Sequence, residues 1–241
     1  MNIIDEKNIM QELYNIGLKH GATKTNHKSY FAEYSNILSP MRDKNIKLLE
    51  IGVDLGGSHR MWKEYLPNAD IFCFDPFKDG QDVGFQEQLE KEGIKTFKGN
   101  QLDREHLNNF IKKYGRDFDV IIDDAAHMPD AQQTSLGFLF PYLKSGGVYF
   151  IEDLLSAQSR QGRMIGDIDQ GKEAQVNKNI KGILDIPHVV DYQIHESNSQ
   201  LKLNNRWKSN TQLTEETDYL TENIFTCKFT TDSQLCTIIK K

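Results

Sequence analysis

No apolar run in this chain approaches the roughly 20 residues that a membrane-spanning helix needs. The N-terminal stretch MNIIDEKNIMQEL carries acids early and lacks an apolar core, so no secretion signal is expected. Cysteine is scarce: Cys73, Cys227 and Cys236 share no metal-ligand spacing, which excludes a cysteine-built zinc module. Two of them fall in expected strands, where buried thiols are common. A reducing, cytoplasmic setting is the simpler reading. A basic stripe is missing too. Lysines are scattered and the net charge is −6, which argues against nucleic acid as the main partner. The chain has no internal repeat and no low-complexity tract.

What is present is an ordinary globular composition: 241 residues, 38 % hydrophobic and 27 % charged. From about residue 46 to 153, short apolar runs alternate with longer amphipathic ones. The strand candidates are IKLLEIGV (46–53), DIFCFD (70–75), IKTFKGN (94–100), DVIIDD (119–124) and GGVYFIED (146–153). Helical patterns lie between them. This alternation predicts an α/β fold with a doubly wound, mostly parallel sheet. NIFTCKFTTDSQLCTIIKK (223–241) predicts an antiparallel C-terminal hairpin. Residues 1–45 are expected to form a helical, then polar, cap. Residues 46–241 are expected to form the main domain, with an insertion or lid at about 155–222 and an added hairpin over 188–204.

Right-handed crossovers bring the C-terminal ends of the parallel strands to one edge, where open α/β sheets bind ligands. Those ends read Glu50, Gly52, Asp75, Asn100, Asp123, Asp124, Glu152 and Asp153, and six of the eight are acids. The stretch LLEIGVDLGGSHRMW (48–62) is strand, glycine loop, helix. Gly52, Gly56 and Gly57 let backbone approach a ligand, and Ser58 is placed to cap the helix. Asp75 can accept both hydroxyls of a ribose. Asp54 stands where a dinucleotide's pyrophosphate needs a glycine. Acids around this loop suit a cationic ligand, and S-adenosylmethionine fits them better than NAD. A tight turn with a structural aspartate is the bland alternative.

The combination of Glu50-Ile-Gly52, Gly56-Gly57-Ser58 and Asp75 resembles the class I S-adenosylmethionine-dependent methyltransferases, whose fold is Rossmann-like. Adding SHRMWKEYLPNADIFCFD (58–75), GNQLDREHL (99–107), IIDDAAHM (121–128) and GGVYFIEDL (146–154), the chain resembles the metal-dependent macrolide sugar O-methyltransferases of the mycinamicin and tylosin type. The likeness covers roughly residues 21–154, with DDAAH standing where the family commonly has DDGSH.

Asp124, Glu152 and Asp153 sit on adjoining strand ends with no compensating basic cluster expected nearby. A hard divalent cation, Mg²⁺ or Mn²⁺, relieves their repulsion, and the resemblance implies these three as its ligands. It also implies that His127, three residues past Asp124, is the general base for a sugar hydroxyl, with Asp124 beside it in the catalytic pair. Gln101 and Asp103 either hold the cofactor or cap the following helix, and the resemblance favours the cofactor. Asp123 either caps its turn or touches the cofactor. Met61 and Trp62 are read as core. His27 and Tyr30 line the entrance or lie on a surface loop. The implied substrate is a sugar or sugar nucleotide, and the oligomeric state, a homo-oligomer included, is left open. Two rival readings are a methyltransferase for a non-sugar acceptor and a catalytically silent binding protein on the same scaffold.

Overall fold

The computed structural model describes residues 3–77, 83–127, 129–154, 211–230 and 234–241. Its strands are β1 (Lys47–Ile51), β2 (Asp70–Asp75), β3 (Ile94–Lys98), β4 (Phe118–Asp123), β5 (Leu143–Ile151), β6 (Ile224–Phe229) and β7 (Cys236–Lys240). They form one sheet in the order β3-β2-β1-β4-β5-β7-β6. The first five are parallel, and β7 runs antiparallel to both β5 and β6. The expected sheet and C-terminal hairpin are both present. All three cysteines lie in strands, buried and in no disulfide.

Side chains alternate across a strand, so each strand feeds two cores. Leu48, Ile71, Val120, Ile122, Val148 and Phe150 pack on one face beneath α1 (Ile3–His20), α2 (Lys28–Leu38) and α3 (Gly57–Tyr65). Leu49, Phe72, Ile121 and Tyr149 pack on the other face against α5 (Arg104–Tyr114), α6 (Pro129–Leu139) and α7 (Thr211–Asn223). A further helix, α4 (Val83–Lys91), precedes β3. This parity has a consequence for the site. Glu50 shares the face of Leu48, and Glu152 continues that of Val148 and Phe150, so both acids point toward α2. Asp123 points the other way, toward α6.

Two expectations change. After its first helix the N-terminal segment is not a polar cap: α2 buries Tyr30, Phe31, Tyr34 and Leu38. The aromatic residues, not the polar ones between them, decide its packing. Within the span read as an insertion, residues 211–223 form a helix, α7, that joins the main layer, and Arg104 pairs with its Glu216 at 2.9 Å. The rest of that expected lid, and the hairpin expected over 188–204, lie outside the described residues. Among the described residues no helix is long and apolar enough to cross a membrane.

Candidate active site

Strand order reverses between β1 and β4, and a crevice opens there at the C-terminal ends, as topology requires. The cavity is about 730 Å³ and is lined by Gly52, Val53, Asp54, Asp75, Gln101, Asp124 and His127 among others. This is the size range of small-molecule sites. Asp75 sits at its wall, accepting backbone N–H groups of Val53 at 3.0 Å and Phe77 at 2.6 Å. Burial raises its pKa above the usual carboxylate range, although those two N–H groups work in the opposite direction.

The glycine loop owes its glycines to the chain itself as much as to a ligand. Gly52 has φ of 97°, and a Cβ there would strike the backbone carbonyl of Asp124. A Cβ on Gly57 would lie 2.8 Å from the carbonyl oxygen of Gly21, so that glycine admits the N-terminal segment. Ser58 is not the cap. The N-cap is Gly56, and the Ser58 hydroxyl donates to Glu50 at 2.9 Å. Gly56 itself does not line the cavity.

Glu50 does not line the cavity either. It is fully buried behind the loop, where Trp62 Nε1 donates to its Oε2 at 3.0 Å. Its Oε1 is 2.7 Å from the ammonium of Lys24. Lys24, only 2 % exposed, also lies 2.7 Å from Glu152 Oε1 and pairs with Asp124 Oδ2. The expectation of three acids without a basic partner is therefore corrected: a lysine 100 residues before Asp124 in the chain sits among them. Burial acts to lower the Lys24 pKa, but Asp124, Glu152 and Glu50 outweigh it and raise it well above the ordinary range. Asp124 is driven to about 2, because Lys24 and His127 outweigh the effect of its own burial. Burial, with Asp124 adjacent, pushes Glu152 up. Tyr34 donates to Glu152 Oε1 as well. Every side-chain contact of Glu152 falls on that one oxygen.

The outer rim is more open. His127 Nε2 lies 3.0 Å from Asp124 Oδ1, and His127 Nδ1 lies 3.4 Å from Asp153 Oδ2. Tyr30 donates to Asp153 Oδ1 at 2.8 Å, and its ring stacks on His27. Donor atoms of Asp124, His127 and Asp153 all fall within 4.8 Å of one another, each residue partly exposed. Two carboxylates and an imidazole at that spacing suit a divalent cation, but the expected third ligand, Glu152, falls in a second group with Glu50 and Asp124 around Lys24. The backbones of His127 (φ 50°) and Asp153 (φ 56°) are left-handed, which costs about 1–2 kcal/mol each outside glycine. Strain of this kind clusters at working sites.

Asp123 and Asp103 take other places. Asp123 is buried on the α6 side, accepting from Gln101 Nε2 at 3.1 Å and from the Ser135 hydroxyl. Burial lifts its pKa to about 6. Gln101 lines the cavity, and its Oε1 accepts from the backbone N–H of Ala126 at 2.9 Å. Asp123 thus holds the 124–127 turn through Gln101 and has no place on the cavity wall. Asp103 is the N-cap of α5, accepting from the N–H groups of Glu105 and His106, and is also off the wall. Met61 and Trp62 are core, as expected.

A Rossmann-like sheet with this topology, crevice and acidic edge defines the class I S-adenosylmethionine-dependent methyltransferase fold. Over more than half its length the chain is similar to several named O-methyltransferases. A stretch of 131 residues is 34 % identical to the mycinamicin VI 2''-O-methyltransferase of Micromonospora griseorubida, covering 52 % of this chain and 31 % of that one. Over 150 residues it is 34 % identical to the demethylmacrocin O-methyltransferase of Streptomyces fradiae, covering 59 % of this chain and 34 % of the relative. The chain thus spans about a third of the length of these curated relatives. Its fold matches that of the mycinamycin-pathway methyltransferase MycE, solved in complex with Mg, SAH and mycinamycin VI. The TM-score is 0.69 at 23 % identity, over 95 % of this chain and 54 % of that one. No protein-family model matches.

Proposed function

We propose that this protein is an S-adenosylmethionine-dependent, divalent-metal-dependent O-methyltransferase acting on a sugar hydroxyl. The observation that carries the reading is the junction of the cavity with the rim, where Asp124 and His127 belong to both. When bound, the cofactor supplies a methyl group on a sulfonium, and a divalent cation lowers the pKa of a hydroxyl it holds. Asp75 binds the ribose hydroxyls. Gln101 fixes the turn that carries Asp124 and His127. Asp124 and Asp153 would hold the cation at the rim, with Glu152, which the structure groups with Glu50 and Asp124 around Lys24, as the third expected ligand behind them. His127, oriented by Asp124 and Asp153, takes the proton of the attacking hydroxyl.

Relatives named for a rhamnosyl-tetracenomycin and an olivosyl-oleandolide support a small glycosylated acceptor, and the net charge of −6 supports that over nucleic acid. A cytoplasmic setting agrees with three thiols that form no disulfide. The test is a mass shift of one methyl across a panel of sugar nucleotides and glycosylated natural products. A panel with no shifted sugar and a shifted amine or catechol would move the reading to a non-sugar acceptor.

A further inference from the structure

Lys24 has no part in the chemistry set out above, yet it is the most deeply buried cation beside the site. Its ammonium takes one oxygen from each of three acids: Glu50 Oε1, Asp124 Oδ2 and Glu152 Oε1. The other oxygens are sorted by that choice. Glu50 Oε2 accepts from Ser58 and Trp62, which open α3. Asp124 Oδ1 faces His127. Among the described residues, no side chain partners Glu152 Oε2. One ammonium thus joins the end of β1 to the C-terminal ends of β4 and β5. The three acids around it are themselves spaced as a cation site, and they would repel one another if it were removed.

We propose that Lys24 is a positioning residue and the built-in cation of an inner acidic cage. It holds Asp124 with its outer oxygen toward the rim, fixes Glu152 in the cage, and keeps a mobile divalent cation out of it. The inference rests on the proposed metal reading only for the rim; the cage stands on its own geometry.

The experiment is Mn²⁺ binding to the full chain, followed by electron paramagnetic resonance and calorimetry, for native protein, Lys24→Ala and Lys24→Gln. The cage predicts one more equivalent of Mn²⁺ in each variant than in native protein. It predicts that adding Glu50→Gln removes that equivalent and that methylammonium competes for it. It also predicts that Mn²⁺ raises the melting temperature of the variants more than that of native protein. A variant that folds only with Mn²⁺ supports the cage. Unchanged stoichiometry in a folded variant overturns it. A variant that stays unfolded with Mn²⁺ and with Glu50→Gln overturns it too, because the position then serves packing and not charge. If native protein binds no Mn²⁺ and the variants bind one equivalent, the cage survives and the rim metal site fails.

Discussion

At the scale of single residues, His127 and His59 carry opposite duties. His127 sits at the rim between two carboxylates, in a left-handed backbone. His127→Gln should lower turnover by about 10²–10⁴-fold, the usual share of a general base, while Mn²⁺ affinity and cofactor affinity stay near native. Parallel kinetics and calorimetry check this. Lost Mn²⁺ affinity would make His127 a ligand and not the base. His59 is fully buried in α3, with Nδ1 3.4 Å from Glu50 and Nε2 without a partner among the described residues. Burial, opposed by Glu50, lowers its pKa, so the folded protein holds it neutral while the unfolded chain protonates it near the ordinary value. The unfolded state then binds more protons as pH falls below about 6.5. Stability should therefore drop in that direction and recover as pH rises. Urea midpoints between pH 5 and pH 8 should show a flatter profile in His59→Gln than in native protein.

At the scale of elements, the fit of β1 to the turn after β4 is the joint that shapes the cavity. Gly52 lies against the carbonyl of Asp124, with its own N–H bonded to Phe74 on β2. Gly52→Ala combines a left-handed backbone with a backbone collision. It should destabilise by about 2–4 kcal/mol, the sum of strain and overpacking. It should also displace Asp124, so cofactor binding should fail before the fold does, which calorimetry on the folded fraction would show. Elements of this kind were legible in the sequence where one signal decides them. The five parallel strands are short apolar runs, four of them with acids at or beside their C-terminal ends, and the C-terminal hairpin alternates around its turn. The glycine loop was legible as a loop, but its capping was not. Ser58 has the right residue type, yet the left-handed Gly56 begins the helix one residue earlier and frees the hydroxyl for Glu50. Helix α7 was missed because its apolar face is small, and its anchor, Arg104 to Glu216, joins residues 112 apart.

At the scale of the whole molecule, the site is an agreement between distant parts. Strand parity sends Glu50 and Glu152 toward α2 and sends Asp123 toward α6. The N-terminal segment, read as a cap, is the piece that completes the acidic edge with Lys24, Tyr30 and Tyr34. The six acids at the strand ends were visible in the sequence because each closes an apolar run. Their partner was not, because nothing in the spacing of GATKTNHKSYFAEY ties Lys24 to Asp124. The one available signal was thermodynamic: buried acids require a cation, and the sequence does not say whether that cation is a lysine or a metal. The central claim is that this edge transfers a methyl group to a sugar with the help of a divalent cation. It is tested most directly by incubating the protein with isotopically labelled S-adenosylmethionine and glycosylated acceptors, first stripped of metal and then with Mg²⁺ restored. The account predicts no labelled product in the stripped sample and one labelled methyl on a sugar oxygen after Mg²⁺ is returned. Full transfer without metal, or label found only on a non-sugar atom, would contradict it.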